Sequence, residues 1–147
     1  MPTVRRARTI AARPEDIWPL IADPHHLPRW WPDLARVEEA TPKAWTKVLQ
    51  SRSGRGVRAD FSRVSANRPR RLVWRQELVD SPFERILAEA VTEIQLEPAE
   101  GGTRVEIAVT EKPKGMNRFG GFMFRLAARK RIDRALEGLD EIAGDRT

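Results

Sequence analysis

The sequence predicts one α+β domain, in which a curved antiparallel sheet of about seven strands packs against a long C-terminal helix. Three observations predict it. The chain of 147 residues has the length of a single domain, so residues 1–147 are expected to form one unit. Apolar residues recur at every second position from about residue 35 to residue 111, which is typical of strands with one wet face. They recur at helical spacing from about residue 116 to residue 143.

The first 32 residues predict one strand and two short helices. The strand covers residues 4–10. The first helix begins at Pro14, because proline is favoured in a first helical turn and acidic residues follow it near the positive end of the helix dipole. Asp23 is expected to cap a second short helix, which carries the segment 25–30.

Six strands are expected to follow, separated by turns rich in Gly, Pro and Asn. They cover residues 35–40, 44–51, 57–65, 71–79, 84–97 and 103–111. The strand 84–97 shows the alternation best, with small or mostly apolar residues on one face: Ile86, Ala88, Ala90, Thr92, Ile94 and Leu96. Its other face is mostly charged, which predicts an antiparallel meander with a single buried side.

The predicted C-terminal helix carries two apolar stripes. The first should face the core and contains Phe124, Ala128, Ile132, Ala135, Leu139 and Ile142. The second lies on roughly the opposite side of the first turns and contains Phe119, Phe122, Met123 and Leu126. A helix that is apolar on two sides is either buried on both or in contact with something other than water.

The composition excludes several classes of function. The absence of cysteine excludes disulfides, thiolate metal sites and cysteine nucleophiles. No apolar run is long enough to span a membrane and no apolar leader is evident, so a cytoplasmic protein is expected. The net charge is +6, with 22 arginines, but no stripe of aromatic residues interleaves the charges. We therefore expect no nucleic-acid partner.

Several short segments resemble one known superfamily. They are Ala12-Arg13-Pro14-Glu15-Asp16-Ile17-Trp18, Ile21-Ala22-Asp23-Pro24, Trp30-Trp31-Pro32, Arg70-Arg71-Leu72-Val73-Trp74 and Gly101-Gly102-Thr103-Arg104-Val105. In this order the chain resembles the SRPBCC, or START-like, superfamily, and within it the bacterial polyketide cyclase/dehydrase-like proteins. The resemblance covers the whole chain and implies a helix-grip fold with a cavity between the curved sheet and the last helix. Members of the superfamily bind lipids, sterols, polyketides, hormones or quinones, and some cyclise or dehydrate their ligand.

Eight residues are candidates for lining such a cavity. Small side chains on a concave sheet leave volume, aromatic side chains supply flat walls, and Gln76 supplies a neutral hydrogen-bonding group. The predicted ligand-binding residues are Trp31, Phe61, Trp74, Gln76, Ala88, Ala90, Phe119 and Met123. Two questions stay open in the sequence. The helix could present either of its apolar stripes to the sheet, and the same residues could simply form a packed core.

Residues able to carry chemistry are few. His25 and His26 could serve as general acids or bases, but as neighbours they do not share a helix face, and no further metal ligand is evident. Asp60 or Arg63 would be the most reactive groups of the cavity if either pointed inward. The sequence therefore predicts no catalytic residue, no metal site and no cofactor.

Three hypotheses about function follow. The first is a binding module, for transport or sequestration, that holds a small hydrophobic or amphipathic molecule. The second is an aromatase/cyclase- or dehydratase-type enzyme acting on a polyketide-like substrate, which would have to use Gln76, Arg63, Asp60 or the histidines. The third is an interaction surface at the apolar start of the last helix, for a membrane surface or for a second copy of the chain. Monomer and homodimer both remain open.

Overall fold

The structure is a computed structural model and describes residues 3–50, 56–115 and 118–144, without the side chains of residues 118 and 119. Its strands are β1 (Thr3–Ile10), β2 (Leu34–Glu38), β3 (Ala44–Leu49), β4 (Val57–Asn67), β5 (Arg71–Glu77), β6 (Leu87–Ala99) and β7 (Gly102–Pro113). Its helices are α1 (Pro14–Ala22), α2 (Leu27–Trp30) and α3 (Arg118–Ala143), and a 3₁₀ turn (Pro24–His26) leads into α2.

The seven strands form one antiparallel sheet in the order β1-β7-β6-β5-β4-β3-β2. Strands β2 to β7 are a meander, and β1 closes the far edge by pairing with β7. Helix α3 packs on the face of the sheet beside β1 and β7, and the short helices lie between it and β2. The predicted α+β architecture is therefore confirmed, and it has the helix-grip arrangement of a sheet around a long helix.

The short helices form as their sequence predicts. Pro14 is the first residue of α1, and the Asp23 carboxylate accepts a hydrogen bond from the backbone N–H of His25 at 3.0 Å, as a capping residue does. Of the two neighbouring tryptophans, Trp30 is buried and donates its Nε1–H to the carbonyl of Leu20 at 3.1 Å. Trp31 points toward the inner face of the sheet.

Helix α3 uses the first predicted stripe to cover the core. Ala128, Ile132, Ala135 and Leu139 are all buried in it. The helix also approaches α2 closely, because a Cβ at Gly138 would lie 2.6 Å from the carbonyl oxygen of Trp30. The second stripe faces solvent instead, since Phe122, Met123 and Leu126 are exposed.

Strand β6 departs from the predicted pattern at its start. It begins at Leu87 instead of residue 84, and its pairing with β7 shifts register between Leu87 and Glu89. The inward face that the sequence predicts is therefore correct from Ala90 onward and wrong at Ala88, which is exposed. An irregularity of this kind puts an extra residue on one strand and reverses the alternation before it.

Candidate functional site

A cavity of about 360 Å³ lies between the concave face of the sheet and the first half of α3. Its walls come from the end of α2, strands β3 to β7, the loop before β6 and helix α3. The apolar lining includes Trp31, Leu49, Ala59, Phe61, Ala90 and Phe124. The polar groups in the lining are Asp33, Lys47, Gln50, Gln76, Thr92, Glu111 and Arg131. A mainly apolar pocket of this size with a few polar groups is typical of a small-molecule site.

Four of the eight predicted residues line this cavity. They are Trp31, Phe61, Gln76 and Ala90. The pairing of the strands explains why they meet: Phe61 lies opposite Gln76 across β4 and β5, so both side chains project from the same face of the sheet. Trp74 lies behind the lining, fully buried, with its ring edge-on to Trp31 at 5.8 Å between centroids.

The other predicted residues are not in the lining. Ala88 is exposed because of the register shift at the start of β6, and Met123 is exposed on the solvent side of α3. The side chain of Phe119 lies outside the described part of the structure. The helix contributes Phe124 and Arg131 to the cavity, so it is the first stripe, and not the second, that faces the sheet.

Lys47 is the most deeply buried of the charged lining residues that the sequence prediction missed, which also include Glu111 and Arg131. It lies in the middle of β3 with 2% of its surface exposed. Its ammonium nitrogen Nζ is 4.2 Å from the centroid of the Phe61 ring, 4.4 Å from that of Trp31 and 5.2 Å from that of Trp74. A signal existed in the sequence, because Trp45, Lys47 and Leu49 alternate and therefore share one face of the strand.

Burial strongly perturbs the ionisation of Lys47. Loss of hydration, followed by repulsion from the Arg131 guanidinium, lowers the pKa of the Lys47 ammonium from 10.5 to about 7. Among the residues that the structure describes, no carboxylate lies within 4 Å of its Nζ, and no acceptor forms a hydrogen bond with it. The aromatic faces around the nitrogen are its neighbours instead, and they attract a cation only weakly compared with a carboxylate.

The other charged residues of the lining form ion pairs, either with each other or with a residue at the mouth of the cavity. Arg131 donates from Nη2 to Glu111 Oε1 at 3.0 Å, and the Glu111 side chain is largely buried. Asp33 accepts a hydrogen bond from Arg134 at 3.0 Å in an exposed position. Gln76 brings a buried side-chain nitrogen, Nε2, which has no hydrogen-bond partner among the described residues.

The other polar candidates from the sequence lie outside the cavity. Asp60 is exposed and accepts a 2.6 Å hydrogen bond from the hydroxyl of Thr46. Arg63 is half-buried at an irregularity of β4 and does not line the cavity. His25 is exposed, with its Nδ1 2.8 Å from Asp23, and His26 lies beside it. Neither histidine is near Lys47 in the lining.

The sheet, the long helix and the cavity between them together define a START-like domain. A family model described as polyketide cyclase / dehydrase and lipid transport matches residues 1–144. The chain therefore belongs to this family, the polyketide cyclase-like branch of the SRPBCC superfamily. Membership of this family supports a fold that binds hydrophobic ligands.

Solved structures share this fold at low sequence identity. Protein CV1439 from Chromobacterium violaceum is 17% identical with a TM-score of 0.78, over 98% of each chain. A START superfamily protein from Mycobacterium smegmatis is 12% identical with a TM-score of 0.76, over 96% of each chain. The di-domain ARO/CYC StfQ from the steffimycin biosynthetic pathway is 15% identical with a TM-score of 0.77, over 96% of this chain and 50% of that one. This chain thus spans about half the length of that protein.

No curated protein matches the chain in sequence. Within residues 3–50, 56–115 and 118–144, no three histidine or acidic side chains come close enough together to hold a metal ion. Over the same residues, no helix is both long and apolar enough to cross a membrane.

Proposed function

We propose that the protein is a binding module that holds one small hydrophobic or amphipathic molecule in the cavity between the sheet and α3. The observation that carries the proposal is the cavity itself, about 360 Å³ with walls formed largely by aromatic and aliphatic side chains. Burying apolar ligand surface there contributes roughly 25 cal/mol per Å², so a ligand that hides about 250 Å² gains on the order of 6 kcal/mol before entropic costs. Transport or sequestration of such a molecule, in the cytoplasm as the sequence suggests, is the role that we assign.

Two alanines of β6 give a matched test of this proposal. Ala90 faces the cavity, whereas Ala88 is exposed two positions earlier on the same strand. Leucine at position 90 would extend into the cavity and should weaken ligand binding at least tenfold, while leucine at position 88 should leave it unchanged.

The binding measurement uses a panel of fatty acids, quinones and aromatic polyketides, screened by thermal shift and titrated by intrinsic tryptophan fluorescence. We expect stabilisation by some members of the panel and its loss in A90L but not in A88L. If A88L and A90L weaken binding equally, the cavity is not the binding site and the proposal is wrong; stabilisation of the wild type by no panel member would also count against it.

An enzyme of the aromatase/cyclase type is the second candidate, and one observation favours it. Near neutral pH a sizeable fraction of Lys47 is an uncharged amine, which can accept a proton, and Gln76 provides an amide in the same cavity. Turnover of a polyketide-like substrate by the wild type, lost in both K47M and Q76L, would support this candidate. Binding of the same substrate without any conversion would remove it.

An interaction surface on α3 is the third candidate. Phe122, Met123 and Leu126 are exposed beside Arg125 and Arg129, an arrangement that suits an anionic membrane surface or a second copy of the chain. Co-sedimentation with anionic vesicles and analytical ultracentrifugation distinguish the two versions, and a monomer that leaves vesicles unbound would exclude both.

A further inference from the structure

We infer that the ligand of this cavity is an apolar molecule with a single carboxylate group, and that this carboxylate pairs with the ammonium group of Lys47. The inference rests on the proposed binding function and specifies its ligand. It begins from a charge imbalance within the cavity, where the Lys47 side chain is buried and has no counter-ion among the residues that the structure describes.

A buried cation without a partner is strongly disfavoured, because it loses its hydration and gains nothing equivalent. The three rings around Nζ, those of Trp31, Phe61 and Trp74, recover part of that loss. A carboxylate would recover much more, through a charge-assisted hydrogen bond to the buried ammonium group. The ligand is therefore expected to supply the carboxylate that Lys47 lacks among the described residues.

The protein's own acids do not fill this role. Glu111 lies in the cavity but is held by Arg131 at 3.0 Å, and Asp33 is held by Arg134 at the rim. The positive charge of Lys47 thus has no internal partner among these groups.

Gln76 also calls for an acceptor in this cavity. Its side-chain nitrogen Nε2 is a buried hydrogen-bond donor without a partner among the described residues. Gln76 lines the cavity together with Lys47. Arg131, on α3, is compensated by its ion pair with Glu111, so Lys47 carries the unbalanced charge of this part of the lining. A group that only accepts hydrogen bonds and carries negative charge fits this set better than an alcohol, an amine or a neutral amide does.

The pairing makes binding depend on pH in a defined direction. The charged groups that share the cavity with Lys47 are Arg131 from α3, Glu111 from β7 and Asp33 from the turn after α2. With a pKa of about 7 in the free protein, Lys47 is about nine-tenths neutral at pH 8, so binding of a carboxylate must restore a proton to it. Uptake of about 0.9 proton per bound acid is expected at pH 8, and none for a neutral ligand of the same shape.

The experiment compares two pairs of probes: 2-naphthoate with 2-naphthamide, and decanoate with 1-decanol. Isothermal titration in buffers of different ionisation enthalpy measures both the affinity and the number of protons taken up. The variants are K47M and K47Q, which remove the charge, and K43M, which removes an exposed lysine just before β3. K47Q is included because an effect shared by K47M and K47Q comes from the lost charge, and not from the way methionine packs in the cavity.

In the wild type at pH 6.5 the acid of at least one pair should bind tenfold or more tightly than its neutral partner, and its affinity should fall above pH 7. K47M and K47Q should lose that preference and the proton uptake, while K43M keeps both. Equal binding of acid and neutral probe, or an acid preference that survives in K47M and K47Q, would overturn this inference and leave the binding function standing. Binding of none of the four probes, together with the failure of the wider panel above, would count against both.

Discussion

Replacing Lys47 with methionine should remove a large pH dependence from the stability of the ligand-free protein. A lysine in the unfolded chain titrates near pH 10.5, whereas burial lowers the pKa of Lys47 to about 7 in the folded protein. Between these values the unfolded chain binds one more proton than the folded chain does. The free energy of unfolding of the wild type must therefore rise with pH in this window, and fall as pH drops toward 7.

The magnitude follows from the size of the shift. Each pH unit well inside the window changes the free energy of unfolding by about 1.4 kcal/mol per proton. Allowing for partial titration near the two pKa values, the Lys47 contribution rises by about 3 kcal/mol between pH 7 and pH 9.5. Methionine has a similar length and no charge, so K47M should be more stable than the wild type at pH 7, and its advantage should shrink by about 3 kcal/mol at pH 9.5.

Urea denaturation at half-unit steps from pH 6 to pH 9.5 measures this difference. Tryptophan fluorescence is a suitable probe, because Trp30, Trp31, Trp45 and Trp74 form one buried cluster around the site. The quantity of interest is the difference between variant and wild type, in which other titrating groups cancel. The chain also contains no cysteine and no tyrosine to titrate in this range.

K43M is the control, since Lys43 is exposed and its removal should leave the pH profile unchanged. Parallel profiles for K47M and the wild type would mean that Lys47 keeps an ordinary lysine pKa. The side chain would then have to be hydrated or paired in solution, and both the burial and the carboxylate inference would be refuted.

Two further predictions concern α3. G138A should destabilise the protein by about 1–3 kcal/mol, because the added Cβ would lie 2.6 Å from the backbone oxygen of Trp30. G121A should stabilise it by about 1 kcal/mol, because the nearest atom to the added Cβ is 3.8 Å away and alanine favours a helix over glycine. Urea titration measures both variants, and equal effects on the free energy of unfolding would argue against the close approach of α3 and α2. R131M should raise the pKa of Lys47, because it removes a neighbouring positive charge and frees the Glu111 carboxylate in the same cavity. The free energy of unfolding should then rise less between pH 7 and pH 9.5 than it does in the wild type. An unchanged rise would show that Arg131 and Lys47 do not interact.

Much of the fold could be predicted from the sequence because each element carries its own periodic signal. The stripe of α3 that contains Ile132 and Leu139 was assigned correctly to the core, and so was the inward face of β6 from Ala90 onward. Ala88 was assigned to the wrong face because strict alternation assumes a regular strand. A register shift depends on how β6 pairs with β7, and it cannot be predicted from the sequence pattern of β6 alone.

The candidate site was less predictable for a different reason. A prediction from polarity alone places lysine side chains in solvent, since lysine is exposed in most proteins. Lys47 shares a strand face with Trp45 and Leu49, but that conflict becomes informative only when the sheet is known to curve around a cavity at this point. Conversely, Met123 looked like a lining residue because an apolar side chain on a helix suggests burial, and its exposure depends on how far α3 is rotated against the sheet.

The instability caused by Lys47 and the affinity of the site for an acid would share one physical origin. In the free protein, protonation of Lys47 opposes folding, and this cost grows as the pH falls toward 7. A bound carboxylate would favour the protonated form and raise the pKa of Lys47 back toward its ordinary value. The complex with an acidic ligand should consequently show a flatter pH profile of stability than the free protein does, with its largest stabilisation near and below pH 7. Urea titrations with saturating 2-naphthoate or decanoate, whichever binds, test this coupling. If the acid raises the free energy of unfolding by the same amount at pH 6.5 and at pH 9, it binds without pairing with Lys47.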